Sequence, residues 1–161
     1  MIYEIKKYPN PILRKKASEV KKIDNKIKMI ALNMVETLNA YNGIGLAGNQ
    51  VGILKRIIVI RTKDAPFIII NPKITRTSGT EEIEEGCLSF PGLFNIIKRS
   101  VCIGFKGLDI NGLAIQGNVE GLIARAIQHE IDHIDGILFI DRMNKDERKR
   151  VLPEWRKIRS D

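Results

Sequence analysis

Two histidines one turn apart in an apolar, helix-like stretch constrain this chain more than any other feature. They stand in His129-Glu130-Ile131-Asp132-His133, an HExxH pattern, and they are the only two histidines in the sequence. Residues four apart share one face of a helix, so both imidazoles can reach a single metal ion. Glu130 lies beside them and can take a proton from water activated by that ion. The alternative is a pair of buried histidines that only hydrogen-bond.

The helix that carries this pattern is predicted over residues 119–135, and Gly136 suits the left-handed position just after a helix end. Its apolar positions form two stripes, Ile123, Ile127 and Ile134 on one side and Leu122, Ala126, His129 and His133 on another. A helix that is apolar on more than one side is buried. The sequence therefore predicts a central helix surrounded by strands.

Other patterns predict helices near both ends and short strands between them. A first helix begins after the capping residue Asp24 and ends near residues 41–43, because its apolar residues recur with helical spacing. Isoleucine-rich runs predict strands at residues 56–61 and 67–71. The turn Asn111-Gly112 predicts a hairpin joining residues 101–110 to 113–119. A surface helix is expected after Asn144, interrupted or restarted at Pro153.

These elements indicate an α+β domain in which antiparallel strands pack around the central helix. With 161 residues, the chain fits a single catalytic domain over 1–161. Two cysteines are too few for a disulfide framework, which favours a reducing compartment. The apolar runs are strand-sized, and the charged first residues contain no signal-peptide core. We therefore expect a cytoplasmic protein that does not contact membranes.

The net charge of +8 is concentrated at the two ends of the chain. Residues 1–30 hold nine Lys/Arg and three Asp/Glu, and residues 141–161 hold eight and five, whereas residues 31–140 hold ten and eleven. Basic ends suit a transient, salt-sensitive contact with ribosomal or other RNA. A solvated lysine-rich surface would give the same composition.

A catalytic site built on two histidines needs a third protein ligand and one open position. The long metalloprotease pattern would place a histidine where this chain has Phe139, so that subclass is excluded. Glu154 is the nearest downstream glutamate that a zinc peptidase could use. Cys87 is flanked by Gly86 and by a Pro-Gly pair, in backbone that can bend towards an ion. Cys102 fits a strand alternation and is more simply a packing residue.

Three separated segments resemble peptide deformylase. The chain reads Gly43-Ile44-Gly45-Leu46-Ala47-Gly48-Asn49-Gln50, then Glu85-Gly86-Cys87-Leu88-Ser89, then Gln128-His129-Glu130-Ile131-Asp132-His133-Ile134-Asp135-Gly136. They match the family's GxGLAAxQ, EGCLS and QHExDHxxG in order. The opening Tyr8-Pro9-Asn10-Pro11-Ile12-Leu13-Arg14 and Ile70-Asn71-Pro72 also look like the family, so the resemblance spans nearly all of the chain.

The resemblance implies an enzyme that removes the N-formyl group from the methionine of new polypeptides and releases formate. Cys87, His129 and His133 would hold one divalent ion, usually Fe²⁺ in the cell and replaceable by Zn²⁺, Ni²⁺ or Co²⁺. Glu130 would carry the proton from water to the departing amine. The Gln50 side-chain amide and the Leu88 backbone N–H would stabilise the negative oxygen.

The resemblance also implies how the formyl-methionyl peptide binds. Backbone around Ile44, Gly45 and Gly86 would pair with it as an added strand, a mode that tolerates many sequences. Leu122 and Ala126 would line the methionine pocket, with Ile44 closing it. Arg125 lies on the same helix face and is expected at the pocket rim.

Three points stay open at this stage. Where the family usually has Ala and often Pro, this chain has Gly48-Asn49, which we expect to loosen the backbone that aims Gln50. Glu85 is expected to support the site, with Arg99 as its partner or as a substrate contact. The remaining alternatives are a zinc peptidase that uses Glu154, or a non-catalytic RNA-associated module.

Overall fold

Five strands form one antiparallel sheet, and two further strands form a separate hairpin. The computed structural model describes residues 1–160. Its helices are α1 (Asn25–Ala40), α2 (Gly121–Ile134) and α3 (Lys145–Ser160), and its strands are β1 (Gly45–Ala47), β2 (Ile57–Ile60), β3 (Phe67–Ser78), β4 (Glu81–Cys87), β5 (Phe90–Arg99), β6 (Cys102–Leu108) and β7 (Ala114–Glu120). The larger sheet has the order β1-β2-β3-β6-β7, and β4 pairs with β5. The α+β prediction is confirmed.

Strand β2 lies at the centre of the packing because both of its faces are covered. Ile57 and Val59 pack against α1, while Ile58 and Ile60 belong to the cluster that includes α2. Since side chains alternate across a strand, a strand buried on both faces must be apolar throughout. This explains why the run Ile57–Ile60 carries no polar residue.

The predicted helix and hairpin boundaries hold to within two residues. Asp24 caps α1 by accepting a hydrogen bond from the Ile27 N–H at 3.0 Å. The β6–β7 turn closes on Asp109, whose carboxylate accepts from the N–H groups of Asn111 and Leu113 at 2.9 Å. Helix α2 begins at Gly121 rather than at residue 119, because β7 continues to Glu120. Gly136 has a positive φ of 76°, as expected after the helix end.

Several features differ from the sequence-based expectation. Strands β1, β4 and β5 were not predicted, and β3 continues to Ser78 beyond the expected end at residue 71. A positive φ of 53° at Asn71 and a shift of register carry the strand past Pro72. Helix α3 is continuous through Pro153, and Trp155 on it is buried rather than exposed.

Helix α3 holds the bend between β4 and β5 in place. Trp155 lies against Phe90 with ring centroids 5.4 Å apart, and its Nε1 donates to the Pro91 carbonyl at 2.8 Å. Tyr8 also stacks on Phe90, with ring centroids 4.9 Å apart. The two ends of the chain therefore meet beside the β4–β5 bend. Among residues 1–160, no helix has both the length and the apolar character needed to cross a bilayer.

Candidate metal centre

Three side chains from two elements converge on one buried point. The Sγ of Cys87, at the end of β4, lies 3.3 Å from His133 Nε2, and His133 Nε2 lies 3.2 Å from His129 Nε2. One ligand atom from each residue lies within 4.8 Å of the others. Both imidazoles are buried, with His129 7% and His133 1% exposed. A thiolate and two imidazoles suit Fe²⁺, Zn²⁺, Ni²⁺ or Co²⁺ better than Mg²⁺ or Ca²⁺, so the residues fit a divalent transition-metal ion.

The orientation of His129 is set by Glu85 on β4. Its Nδ1 lies 2.8 Å from Glu85 Oε1, which leaves Nε2 directed at Cys87 and His133. A carboxylate that accepts the outer ring N–H of a ligand histidine fixes its tautomer and ring plane. Glu85, whose role the sequence left open, therefore supports the metal cluster.

Two arginines hold Glu85 itself. Arg99 donates to both of its oxygens at 2.8 and 3.1 Å, and Arg125 donates to Oε2 at 2.6 Å. Arg125 also donates to the carbonyls of Ile97 and Glu81, both at 2.8 Å. The expectation that Arg125 sits at the pocket rim is corrected in part. It lines the cavity, but the residue is buried, and its guanidinium fastens α2 to both strands of the hairpin. Arg99 is the partner of Glu85.

The same network reaches the second acidic residue of the helix. Arg99 donates to Asp132 Oδ2 at 2.6 Å, and Arg142 donates to both Asp132 oxygens at 3.1 and 2.9 Å. Gln128 accepts from the Ser100 N–H and donates to the Ser100 carbonyl. Asp132 and Gln128 therefore hold α2 against the neighbouring segments.

Burial and charge act on the titratable groups in opposite directions. For Glu85, burial opposes ionisation, but hydrogen bonds from His129 and Arg99 outweigh it and lower the pKa to about 2. For Glu130, burial dominates and raises the pKa to about 7, although His129 and Arg99 pull it down. Their surroundings therefore lower the pKa of Glu85 and raise that of Glu130.

Glu130 has the position of a proton carrier. It lines the same cavity as Cys87 and His129 and is 4% exposed. Its Oε1 is buried and has no hydrogen-bond partner within residues 1–160. Burying a carboxylate oxygen without a hydrogen-bond partner costs free energy, so its presence here calls for a functional explanation.

Gln50 reaches the cluster from a short 3₁₀ helix, Gly48–Val51, that follows β1. Its Oε1 accepts from the Ala47 N–H at 3.0 Å, which identifies the other end of the amide as nitrogen. That Nε2 lies 3.2 Å from Ser89 Oγ and 3.7 Å from Cys87 Sγ. The amide donor therefore faces the metal cluster. Ser89, for which the sequence analysis predicts no separate role, helps to orient it.

One cavity of about 630 Å³ brings together the remaining residues that the sequence singled out. Its lining includes Ile44, Gly45, Gln50, Gly86, Leu88, Leu122, Ala126 and Glu130. Ile44 and Leu122 are 48% and 62% exposed, whereas Ala126 is buried. The first two thus form the mouth and the third the floor. Within the described chain, β1 is an edge strand and β4 pairs only with β5, so each leaves one backbone edge unpaired.

Gly45 allows the backbone to approach Glu130 closely. A Cβ built on Gly45 would lie 2.5 Å from Glu130 Oε2 and 2.9 Å from Glu130 Cγ. Only glycine leaves room for that carboxylate at this position.

The segment Gly48-Asn49 is held tightly, contrary to the expected loosening. Both residues are buried, and Asn49 Nδ2 donates to the Lys15 carbonyl at 2.6 Å. A Cβ on Gly48 would lie 2.5 Å from the Ile53 carbonyl oxygen and 2.6 Å from that of Lys55. Glycine is therefore required here by close backbone packing. An alanine at position 48 would therefore clash with these two carbonyl oxygens unless the backbone shifts.

Glu154 is exposed on α3 and is not part of the cluster formed by Cys87, His129 and His133. The arrangement that a Glu-ligated zinc peptidase would need is not present in residues 1–160. A cysteine and two helix-borne histidines beside a buried glutamate, at the wall of one cavity, define instead a metal-dependent hydrolase.

Comparisons with known proteins identify the family. A family model described as polypeptide deformylase matches residues 2–149. A peptide deformylase from Dictyoglomus thermophilum is 49% identical over 142 residues, covering 88% of this chain and 93% of its own. One from Desulforudis audaxviator is 46% identical over 143 residues, again covering 88% and 93%. The crystal structure of a peptide deformylase from Legionella pneumophila superposes with a TM-score of 0.93 at 34% identity, covering 99% of this chain and 96% of its own.

The chain belongs to the peptide deformylase family. It is an enzyme that removes the N-formyl group from newly made polypeptides, and it has the Cys/His/His site of a metal-dependent member.

Proposed function

We propose that residues 1–161 act as one catalytic domain in which Cys87, His129 and His133 hold a divalent ion, Fe²⁺ in the native enzyme. The ion, when bound, would supply Lewis acidity that activates water and polarises the formyl oxygen. The observation that carries this proposal is the convergence of one sulfur and two imidazole nitrogens within 4.8 Å of one another.

Glu130 carries the proton in this proposal. Water adds its oxygen to the formyl carbon, Glu130 takes the proton that the water gives up, and the same carboxyl delivers a proton to the amine as the C–N bond breaks. The products are formate and a free methionyl amine. Its support is the buried, unpartnered Oε1 in the wall of the cavity.

Two neutral donors stabilise the charge that develops on the formyl oxygen. The Gln50 amide is oriented because its Oε1 accepts from the Ala47 N–H and its Nε2 donates to Ser89 Oγ, which directs Nε2 towards Cys87. The Leu88 backbone lies at the bend beside the cavity. Donors fixed before the reaction cost no reorganisation, and removing one typically slows catalysis by about 10²–10³-fold.

The peptide binds as a strand between the unpaired edges of β1 and β4. Backbone at Ile44, Gly45 and Gly86 would pair with it, while Leu122 and Ala126 receive the methionine side chain. Main-chain pairing reads no side chains, which suits an enzyme that must accept many protein sequences. All five residues line the same cavity.

The two cysteines provide a matched test of the ligand set. Cys87→Ser should abolish both metal retention and formate release from a formyl-methionyl peptide, whereas Cys102→Ser, half-buried and outside the cluster, should change neither. Metal content by elemental analysis and formate by a coupled assay give two independent readings. Full metal content in the Cys87→Ser enzyme would overturn the assignment.

The identity of the ion is tested by anaerobic reconstitution. Apo-enzyme loaded separately with Fe²⁺, Zn²⁺, Ni²⁺ and Co²⁺ should be most active with Fe²⁺ and should then lose activity on exposure to air or peroxide. A zinc enzyme that matches the iron enzyme in rate would contradict the choice of Fe²⁺.

The substrate indicates where in the cell the enzyme acts. We propose that it acts in the cytoplasm, where new chains emerge, and that its basic ends contact the ribosome transiently. The supporting observation is that the two ends of the chain lie side by side. The ring centroids of Tyr8 and Trp155 are 6.3 Å apart, and the guanidinium of Arg156 lies over the Tyr8 ring. Such binding should fall steeply with salt in co-sedimentation with ribosomes. Binding that salt leaves unchanged would contradict it.

A further inference from the structure

The direction of Gln50 depends on a turn that the N-terminal segment holds from outside. The Gln50 carbonyl accepts from the Lys6 N–H at 2.7 Å, and Asn49 Nδ2 donates to the Lys15 carbonyl at 2.6 Å. The Ser18 N–H donates to the Leu54 carbonyl at 3.0 Å just beyond the same turn. Three points of the N-terminal segment thus hold the Gly48–Val51 turn and the residues after it.

Asn49 is the only side chain of the turn whose hydrogen bond, among those in the described residues, goes to the N-terminal segment. It is fully buried, and its Oδ1 has no hydrogen-bond partner within residues 1–160. An amide buried with one end unsatisfied is a poor choice for stability alone, since the missing bond costs free energy. The bond from its other end to Lys15 is then what the residue contributes.

We propose that Asn49 is a positioning residue for the reaction: by tying the turn to the Lys15 carbonyl, it fixes the direction in which the neighbouring Gln50 amide points. This inference rests on the proposed role of Gln50. A 3₁₀ turn has about three residues per turn, so a small rotation at Asn49 swings the next side chain sideways. The Gln50 Nε2 would then leave its place 3.2 Å from Ser89 Oγ and 3.7 Å from Cys87 Sγ.

A double-mutant cycle tests the inference on the metal-loaded enzyme. The variants are Asn49→Ala, Gln50→Ala and the two together, with kcat, KM, metal content and Tm measured for each. We expect Asn49→Ala to lower kcat roughly tenfold, because misplacing a reacting group by about 1 Å costs up to about 10²-fold. KM and metal content should change little. In the Gln50→Ala background the same substitution should change kcat by less than about twofold, because it then has no amide left to misdirect.

Asn71 offers a matched control. It also ties the N-terminal segment, with its side chain bonding the Val20 N–H and carbonyl at 2.8 Å, but it does so on β3, outside the turn. Asn71→Gly keeps the positive φ of that residue possible and removes both bonds. It should lower Tm, and any small effect on kcat should be the same in both Gln50 backgrounds.

Each outcome of the cycle has a distinct interpretation. An equal loss of kcat from Asn49→Ala with and without Gln50, or a lowered Tm with unchanged kcat, would overturn the positioning role. Full activity of Gln50→Ala would instead remove the proposed role of Gln50 itself. Should Asn49→Ala fail to fold, Asn49→Ser, which is too short to reach Lys15 but remains polar, enters the same cycle under the same criteria.

Discussion

Glu85 Oε1 lies 2.8 Å from His129 Nδ1, and two guanidinium groups hold Glu85 from behind. One strand of the hairpin thus both ends in the cysteine of the proposed metal site and orients one of its two histidines. The hairpin and α2 therefore form one unit, and displacement of either would disturb all three ligand positions.

Replacing Glu85 should weaken metal binding. Glu85→Gln keeps the shape but offers His129 a poorer acceptor and leaves Arg99 and Arg125 without their carboxylate. Loss of such a supporting partner typically lowers metal affinity about 10–100-fold. Competition with a chelator measures the affinity. Glu84→Gln, an exposed neighbour on the same strand, is the control, and an equal effect from both would contradict the role of Glu85.

Gly45→Ala should slow the reaction without releasing the metal. Its Cβ would lie 2.5 Å from Glu130 Oε2, so the carboxylate has to move from its present position. We expect kcat/KM to fall by about 10²-fold or more, the scale of a misplaced general base. Gly117→Ala on β7, whose Cβ meets only the Phe105 ring at 3.3 Å, serves as the control. Unchanged activity in Gly45→Ala would show that Glu130 works from another position.

Gly48→Ala should destabilise the protein. The added methyl meets backbone oxygens of Ile53 and Lys55, which cannot rotate away as a side chain could. Overpacking of this kind costs about 1–3 kcal/mol in free energy of unfolding. Urea denaturation of the metal-loaded protein measures it. A stabilised Gly48→Ala variant would mean that the loop at residues 53–55 yields more easily than its contacts suggest.

The ion pair between Arg14 and Asp141 should make stability depend on pH in the acidic range. Burial alone would raise the pKa of Asp141, but the hydrogen bonds from Arg14 and the Leu138 N–H outweigh it and lower the pKa below 3.8. A lowered folded-state pKa stabilises the protein above pH 3.8, and this contribution disappears as the pH falls through the lower folded value.

Asp141→Asn should therefore be less stable than the parent chain near neutral pH. The two should converge as the pH drops below 3.8. Since Arg14 is 41% and Asp141 25% exposed, we expect a difference of no more than about 1 kcal/mol. Paired denaturation curves at several pH values give the difference directly, and metal loss in acid affects both proteins alike. A difference in stability between the two proteins that grows as the pH falls would contradict this prediction.

Phe94 should affect how well longer peptides bind. Its exposed ring lines the cavity and lies over Gly86, where a Cβ would be 2.6 Å from Phe94 Cε1. Phe94→Ala should raise KM on the order of fivefold for formyl-methionyl peptides with apolar residues after methionine, since partial burial of an apolar side chain contributes about 1 kcal/mol. Ile96→Ala, exposed on the same strand but outside the cavity, should not. Equal effects on all peptides would argue against a contact.

The parts of the fold that the sequence predicted are those with a local signal. Helix α1 has a cap and a regular apolar stripe, and the β6–β7 hairpin has an Asn-Gly turn. The β4–β5 hairpin has neither. Its first strand reads Glu-Glu-Ile-Glu-Glu-Gly-Cys, and the charges hide the alternation because Glu85 faces inward to meet Arg99 and Arg125.

Some residues of the site could be predicted from the sequence, and others could not. His129, Glu130 and His133 stand together in the chain, so helix geometry alone brings them to one place. The hydrogen bonds of Arg125 and Asn49 had no such signal, because their partners lie on distant segments. Their buried polar atoms become informative only once burial is known.

The free edge of β4 has a consequence for self-association. A strand that leaves its backbone open to one peptide is equally open to the edge of a second copy of the enzyme. Four of its seven residues are glutamates, and three of these are directed outward or only partly covered. Two copies approaching edge to edge would bring these like charges together. The edge can thus stay available to a short nascent peptide while it repels another copy of itself.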